Sequence, residues 1–179
     1  KTGRVSYMYQ KDLLLPWKNI IDNVALPLVI KGINKRNSRK EVEPYFEIFG
    51  LKGYEKKYPH QLSGGMRQRA AFLRTYMFSR DIMLLDEPFG GLDAITRSRI
   101  HYWLMEVLEK LETSVLFITH DIEEAIFLSD RIYILSNKPA RVIDEIFIDI
   151  PKPRTKDITT AVKFNEFKKY ILNIMDRLN

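Results

Sequence analysis

Hydrophobic residues in this chain form short apolar runs and longer amphipathic stretches. The runs predict strands at residues 5–9, 83–85, 115–118, 131–135 and 142–150. Those at 83–85 and 115–118 are apolar without alternation, which is typical of buried parallel strands. The amphipathic stretches predict helices at residues 19–30, 39–49, 65–78 and 94–111, with one further helix after residue 121 and another after the break at Pro151 and Pro153. Buried strands alternating with helices of this length indicate an α/β fold with a largely parallel sheet.

Polar residues indicate where several helices begin. Ser38 and Glu41 have the spacing of a capping box for the helix at 39–49, and Gly50 is its expected stop. Asp121 and Glu124 are expected to cap the helix that follows them. Near the end of the chain, apolar residues recur at helical spacing, which predicts a core or docking face. They are Phe164, Phe167, Ile171, Ile174 and Leu178.

Composition narrows the class of protein. With 179 residues, of which 45% are hydrophobic, the chain can form one globular domain with a core. No apolar run approaches the roughly 18 residues of a membrane span. The absence of cysteine excludes disulfides and thiolate metal sites. The net charge of +6 comes from scattered basic residues, which favours a solvated surface over a nucleic-acid groove, so no nucleic-acid partner is expected.

Two adjacent carboxylates, Asp86 and Glu87, end the predicted strand at 83–85. Pro88 should keep Glu87 extended, so that the two side chains point in different directions. A second candidate site begins the helix at 65–78. There Ser63 is a suitable N-cap, and Gly64 and Gly65 would let a phosphate approach bare N–H groups. A plain capped helix is the alternative, although two glycines in its first turn lower helix propensity.

Three further polar residues are candidate functional residues because of their positions. Gln10 follows the first predicted strand, and His120 follows the strand at 115–118. Asp93 can simply cap the helix at 94–111. The two remaining histidines, His60 and His101, are expected on a loop and a helix surface.

Taken in order from about residue 7 to about residue 150, these motifs resemble the ATPase subunit of an ABC transporter. The resemblance implies a P-loop NTPase-like fold and the cofactors ATP and Mg²⁺. Asp86 and Gln10 would serve the metal ion, Glu87 would be the general base, and His120 would hydrogen-bond the γ-phosphate. Ser63, Gly64 and Gly65 would contact ATP held by a second subunit in a head-to-tail homodimer, and Asp93 would lie at the dimer interface.

Segments around these motifs resemble one importer branch, which takes up nitrate, sulfonates, taurine or thiamine-precursor pyrimidines. They are residues 15–17, 26–28 and 58–61. The resemblance implies a peripheral subunit on the cytoplasmic face of the membrane, bound to transmembrane permease subunits and served indirectly by a solute-binding protein. The apolar residues 13–17 beside Gln10 would form the groove for a permease helix.

The phosphate cradle G-x-x-x-x-G-K-S/T occurs nowhere in the sequence, and Lys1-Thr2 is interpreted as ordinary loop. We therefore expect a partial ABC ATPase domain over residues 1–179, truncated at its N-terminus. It would comprise a helical subdomain with the signature motif at about 19–78, a Walker B to switch-histidine core at 79–150, and a C-terminal extension at 151–179. The 179-residue chain alone is expected to bind ATP poorly and not to hydrolyse it. The alternatives are a soluble ABC-type ATPase that acts on DNA or ribosomes, or an inactive fragment that only dimerises or docks.

Overall fold

The computed structural model describes residues 4–111 and 113–177. Lys1-Thr2 and Leu178, both named above, lie outside these ranges. The chain forms two compact units. The first contains the residues up to Ile100 together with Val107–Ile118, and the second contains His101–Glu106 and the residues from Thr119 onward.

A three-stranded parallel sheet is the centre of the first unit. Strands β1 (Val5–Met8), β2 (Ile82–Asp86) and β3 (Ser114–Ile118) lie in the order β1-β2-β3. Met83 and Leu85 are fully buried on the covered face. This arrangement, with helices between the strands, confirms the predicted α/β class.

The opposite face of the sheet is apolar but exposed, contrary to the expectation that β2 and β3 are buried on both sides. Five of its side chains are between 41% and 53% exposed. They are Val5, Tyr7, Ile82, Leu116 and Ile118. Parallel sheets are ordinarily covered on both faces, so this surface is unusual for such a sheet.

Two helices pack closely in the first unit, α1 (Ile20–Ile30) and α4 (Gly64–Phe78). The aromatic rings of Phe49 and Phe72 lie 5.8 Å apart in the adjoining core. Asn23 is buried in α1, and its amide donates to the Leu15, Lys18 and Asn19 carbonyls while its oxygen accepts from the Leu15 N–H. This satisfied amide fixes the loop that precedes α1.

The predicted helix at 39–49 is instead two helices, α2 (Lys35–Val42) and α3 (Tyr45–Ile48). Pro44 separates them, because it has no N–H to continue the helical hydrogen bonds. The predicted capping box was also wrong. Asn34 is the N-cap of α2, whereas Ser38 lies within the helix and donates to the Ile33 and Asn34 carbonyls.

The second unit contains α6 (Ile122–Leu128), the antiparallel strands β4 (Arg131–Leu135) and β5 (Val142–Phe147), and α7 (Val162–Asp176). Helix α5 (Ala94–Lys110) contributes residues to both units. Phe164 and Ile171 of α7 are buried, as their spacing predicted.

A buried guanidinium stabilises this unit. Arg154 is 3% exposed and donates to the carbonyls of Ile126, Phe127, Ser129 and Ile150. Burial lowers the pKa of Arg154 from its ordinary value.

Candidate functional site

Asp86 stands at the end of β2, where its partly exposed carboxylate is held by a tyrosine. The Tyr7 hydroxyl on neighbouring β1 donates to Asp86 Oδ2 at 2.6 Å. The hydrogen bond to Asp86 raises the pKa of the Tyr7 phenol. No sequence motif pointed to Tyr7, whose hydroxyl fixes one oxygen of this carboxylate.

Glu87 has a left-handed backbone, with φ of 43°. Its N–H donates to the Ile118 carbonyl at 2.9 Å, and its own carbonyl accepts from the Gly90 N–H. The expectation that Pro88 holds Glu87 extended was therefore wrong, because the turn from β2 into residues 87–90 imposes a different conformation. Non-glycine residues in this region carry strain that surrounding contacts must overcome, and such residues are concentrated at functional sites.

Gln10 is brought beside Glu87 by the pairing of β1 with β2. Gln10 Nε2 lies 3.5 Å from Glu87 Oε2, at the long limit of a hydrogen bond. Gly90 closes the group, because a Cβ at this position would lie 2.9 Å from Gln10 Nε2 and 3.6 Å from Glu87 Oε2. A side chain here would displace the Gln10 amide.

Helix α4 anchors the backbone that follows Gln10. Gln68 Nε2 donates to the Gln10 carbonyl at 3.2 Å, and Arg74 donates to the carbonyls of Asp12 and Leu13 at 2.7 and 2.8 Å. Arg67 Nε adds an ion pair of 3.1 Å with the Asp12 carboxylate. Burial lowers the pKa of Arg74 from its ordinary value. Three side chains of one helix thus hold this loop.

The start of α4 and the start of α5 are in contact. Ser63 caps α4, as predicted, and accepts from the Met66 N–H. A Cβ at Gly64 would lie 3.3 Å from Leu92 Cδ2, and one at Gly65 would lie 3.1 Å from Thr96 Cγ2. The two glycines therefore have a packing role, since they allow α4 to approach this segment closely.

Asp93 caps α5, also as predicted, and its Oδ1 accepts from the Thr96 N–H at 3.0 Å. Hydrogen bonds from Thr96 lower the pKa of the Asp93 carboxyl. The structure therefore places Asp93 in the same neighbourhood as Gly64 and Gly65.

His120 belongs to the second unit, where it is exposed and lies two residues after β3. His101, expected on a helix surface, is instead only 14% exposed in its side chain, and its Nε2 lies 2.7 Å from Glu124 Oε1. Asp121 caps α6 as predicted by accepting from the Glu124 N–H. The Glu124 side chain does not cap the helix but receives His101 and Thr119.

The oxygen donors of Asp86, Glu87 and Gln10 are of the kinds that bind a magnesium ion. Asp86 and Glu87 provide partly exposed carboxylates and Gln10 an exposed amide oxygen, and Mg²⁺ is usually bound by one or two carboxylates together with substrate phosphates. Within the described residues, no group of three or more His, Asp or Glu side chains could hold a metal unaided. The residues thus fit a cation shared with a phosphate, although the chain has no lysine-bearing phosphate loop.

A comparison with known families identifies the class of protein. The profile described as ABC transporter matches residues 1–90. The chain belongs to this family.

Several curated relatives are described as import ATP-binding proteins. The chain is 48% identical over 164 residues to the formylaminopyrimidine import ATP-binding protein ThiZ of Halalkalibacterium halodurans, covering 92% of this chain and 65% of the relative. It is 40% identical over 171 residues to the aliphatic sulfonates import ATP-binding protein SsuB of Bacillus cereus, covering 96% and 66%. The chain thus spans about two thirds of the length of these relatives.

One solved structure shares the fold. It is a dimeric, post-hydrolysis state of an ATP-binding cassette bound to ADP and Pi, with a TM-score of 0.63 and 28% identity. The match covers 83% of this chain and 65% of that one.

A helix that crosses a membrane must be both long and predominantly apolar. Among residues 4–111 and 113–177, every helix is too short or too polar to cross a membrane.

Proposed function

We propose that the protein is the ATP-hydrolysing subunit of a bacterial ABC importer. Its solute would be a small molecule such as nitrate, a sulfonate, taurine or a pyrimidine. The observation that carries the proposal is the group formed by Glu87, Gln10 and Asp86 at the ends of paired parallel strands. Similarity to import ATP-binding proteins favours an importer over a soluble ATPase that acts on nucleic acid or ribosomes.

The roles follow from the side-chain chemistry. Glu87 would accept a proton from the attacking water, and the adjacent Gln10 amide would orient that water and the carboxylate. Asp86 would serve Mg²⁺ with the oxygen that Tyr7 leaves open, and Gln10 would turn its amide oxygen to the same ion. When bound, the ion would neutralise charge on the β- and γ-phosphate oxygens.

Two regions would complete the site across a homodimer. Ser63, Gly64 and Gly65 would offer N–H groups to the ATP of a second subunit, and Asp93 would lie at that interface. His120 would hydrogen-bond the γ-phosphate. The assembled protein would bind permease subunits at the cytoplasmic face of the membrane, with a solute-binding protein acting on their other side.

Replacing Glu87 with Gln tests the catalytic role in the full-length protein. We expect turnover of Mg²⁺-ATP to fall by about 100-fold or more while ATP binding is retained, because the amide keeps the shape but cannot accept the proton. Steady-state hydrolysis and equilibrium nucleotide binding measure the two effects. Glu55→Gln, on a loop of the same unit, is the control and should hydrolyse ATP normally. Hydrolysis at the wild-type rate by the Glu87 variant would remove this residue from the base role.

A further inference from the structure

A closed ring of hydrogen bonds joins Thr119, Asp121 and Glu124, the first two of which flank His120 in the chain. Thr119 and Asp121, its two neighbours, are joined because the Asp121 N–H donates to Thr119 Oγ1 at 3.0 Å. The Asp121 carboxylate accepts from the Glu124 N–H at 3.1 Å. The ring is completed by the Thr119 hydroxyl, which donates to Glu124 Oε2.

His101 is attached to this ring from another helix. It lies on α5, and its Nε2 is 2.7 Å from Glu124 Oε1. An ionised carboxylate only accepts hydrogen bonds, so the imidazole Nε2–H and the Thr119 hydroxyl are both donors to it. All of these residues belong to the second unit.

Glu124 and His101 are largely buried, so the loss of the hydrogen bond between them has a structural cost. Glu124 is 6% exposed and the His101 side chain 14%. A buried carboxylate that loses one of its two donors is left with an unmet acceptor, which favours rearrangement of the groups around it. The Thr119–Asp121 turn is joined to Glu124 by the Thr119 hydroxyl and by the Asp121 cap, so a rearrangement at Glu124 acts on this turn directly.

We infer that His101, acting through Glu124 and Thr119, is a positioning residue that sets the orientation of His120. His101 does not touch the reacting atoms in this scheme. The inference rests on the proposed function, in which His120 contacts the γ-phosphate. It adds a residue 19 positions upstream in the chain to the determinants of that contact.

The first test is a double-mutant cycle on ATP hydrolysis by the full-length protein. His101→Leu should lower kcat about tenfold with KM within about twofold, whereas His101→Gln, whose amide can still donate, should keep at least about half of kcat. In a His120→Ala background, His101→Leu should have less than about a twofold further effect, because its influence passes through His120. His60→Leu, an exposed histidine of the first unit, is the control.

The second test measures position without activity. Amide hydrogen exchange at Asp121 should become about tenfold faster in His101→Leu and stay within about twofold of wild type in His101→Gln. Thr119→Val and Thr119→Ser repeat the comparison at the other donor. These two variants provide the test if His101→Leu does not fold.

The outcomes distinguish the proposed role of His120 in hydrolysis from the inferred positioning role of His101. If His120→Ala alone leaves hydrolysis unchanged, the proposed role of His120 is wrong. If His120→Ala impairs hydrolysis but His101→Leu costs the same factor in both backgrounds, the inference is wrong and His101 is merely structural. Unaltered exchange at Asp121 in His101→Leu would equally overturn it.

Discussion

Gly90 and Gly91 are neighbours with different surroundings. A Cβ at Gly90 would lie 2.9 Å from Gln10 Nε2, while a Cβ at Gly91 would meet nothing within 4 Å. Neither glycine has a positive φ, so alanine fits the backbone at both positions. The contact that separates the two sites is therefore the close one with the Gln10 amide, since the Glu87 atoms near Gly90 lie at ordinary van der Waals distances of 3.5 and 3.6 Å.

Gly90→Ala should fold but hydrolyse ATP more slowly in the full-length protein. The end of a flexible side chain can move aside, so we expect little change in stability but roughly a tenfold loss of kcat as Gln10 leaves Glu87. Gly91→Ala is the matched control and should keep its rate while gaining about 0.4–1 kcal/mol in the free energy of unfolding. Thermal unfolding and steady-state kinetics measure both. Equal rates for the two variants would contradict this account of Gly90.

At the scale of elements, two ion pairs that share Asp22 join α1 to α2. Asp22 accepts from Arg39 Nε and Nη2 at 2.7 and 2.8 Å, and Lys35 Nζ lies 3.1 Å from it. The Asp22 side chain is only 11% exposed. The hydrogen bonds from Arg39 lower the pKa of Asp22 below its ordinary value of 3.8.

Asp22→Asn should destabilise the protein in a pH-dependent way. Because the folded-state pKa of Asp22 is lowered, its contribution is present above about pH 4 and is lost as the pH falls through the folded pKa. We expect a loss of about 1–2 kcal/mol at neutral pH, where two charge-assisted bonds are weakened. Urea unfolding of wild type and variant from about pH 6 to about pH 3 should show this difference shrinking.

The control for Asp22→Asn is Asp81→Asn. Asp81 forms a 3.6 Å pair with Arg4 in which both side chains are more than 60% exposed. Exposed pairs of this kind contribute about 0–1 kcal/mol, so this variant should differ little from wild type at any pH. A stability difference for Asp22→Asn that does not depend on pH would contradict the ionic explanation.

Elements set by neighbouring residues were the ones that the sequence predicted well. Ser63, Asp93 and Asp121 cap helices because each accepts from an N–H three residues ahead. Where the prediction failed, another residue nearby determined the helix boundary. Asn34 took the capping position expected of Ser38, and Pro44 divided the helix that follows.

Contacts between distant residues were not predictable from one sequence. Tyr7 and Asp86 are 79 residues apart, and His101 and Glu124 are 23 apart. A lone histidine or tyrosine has no local pattern that names its partner, so His101 was assigned to a surface. The pairing of β1 with β2 brings the first of these pairs together.

For the whole molecule, the exposed sheet face shows the limit of reasoning from hydrophobic runs. β2 and β3 are apolar on both sides, a pattern that favours two covering layers. The structure covers one side and leaves Ile82, Leu116 and Ile118 exposed on the other. A run of apolar residues predicts that a strand can be buried, but the number of covering layers depends on the rest of the fold.

The apolar segment at residues 13–17, expected to be a docking groove for a permease helix, has both buried and exposed members. Leu14 is 7% exposed, whereas Leu13 is 53% and Trp17 71% exposed. Leu13 also has a left-handed backbone, with φ of 47°, and its carbonyl accepts from Arg74. A charge at Leu14 would therefore disturb folding, and Trp17 is the position at which docking can be tested.

Trp17→Glu should separate hydrolysis from transport in the complete importer. Because Trp17 is exposed, the variant should keep its stability within about 0.5 kcal/mol and its ATPase rate as an isolated full-length subunit. Coupled uptake in vesicles containing the permease should fall about tenfold, since an apolar anchor is replaced by a charge that must be desolvated. Val162→Glu, on α7 and 75% exposed, is the matched control and should transport normally. Leu14→Glu should instead lose about 2–5 kcal/mol of stability. Normal uptake by the Trp17 variant would move the docking site away from this segment.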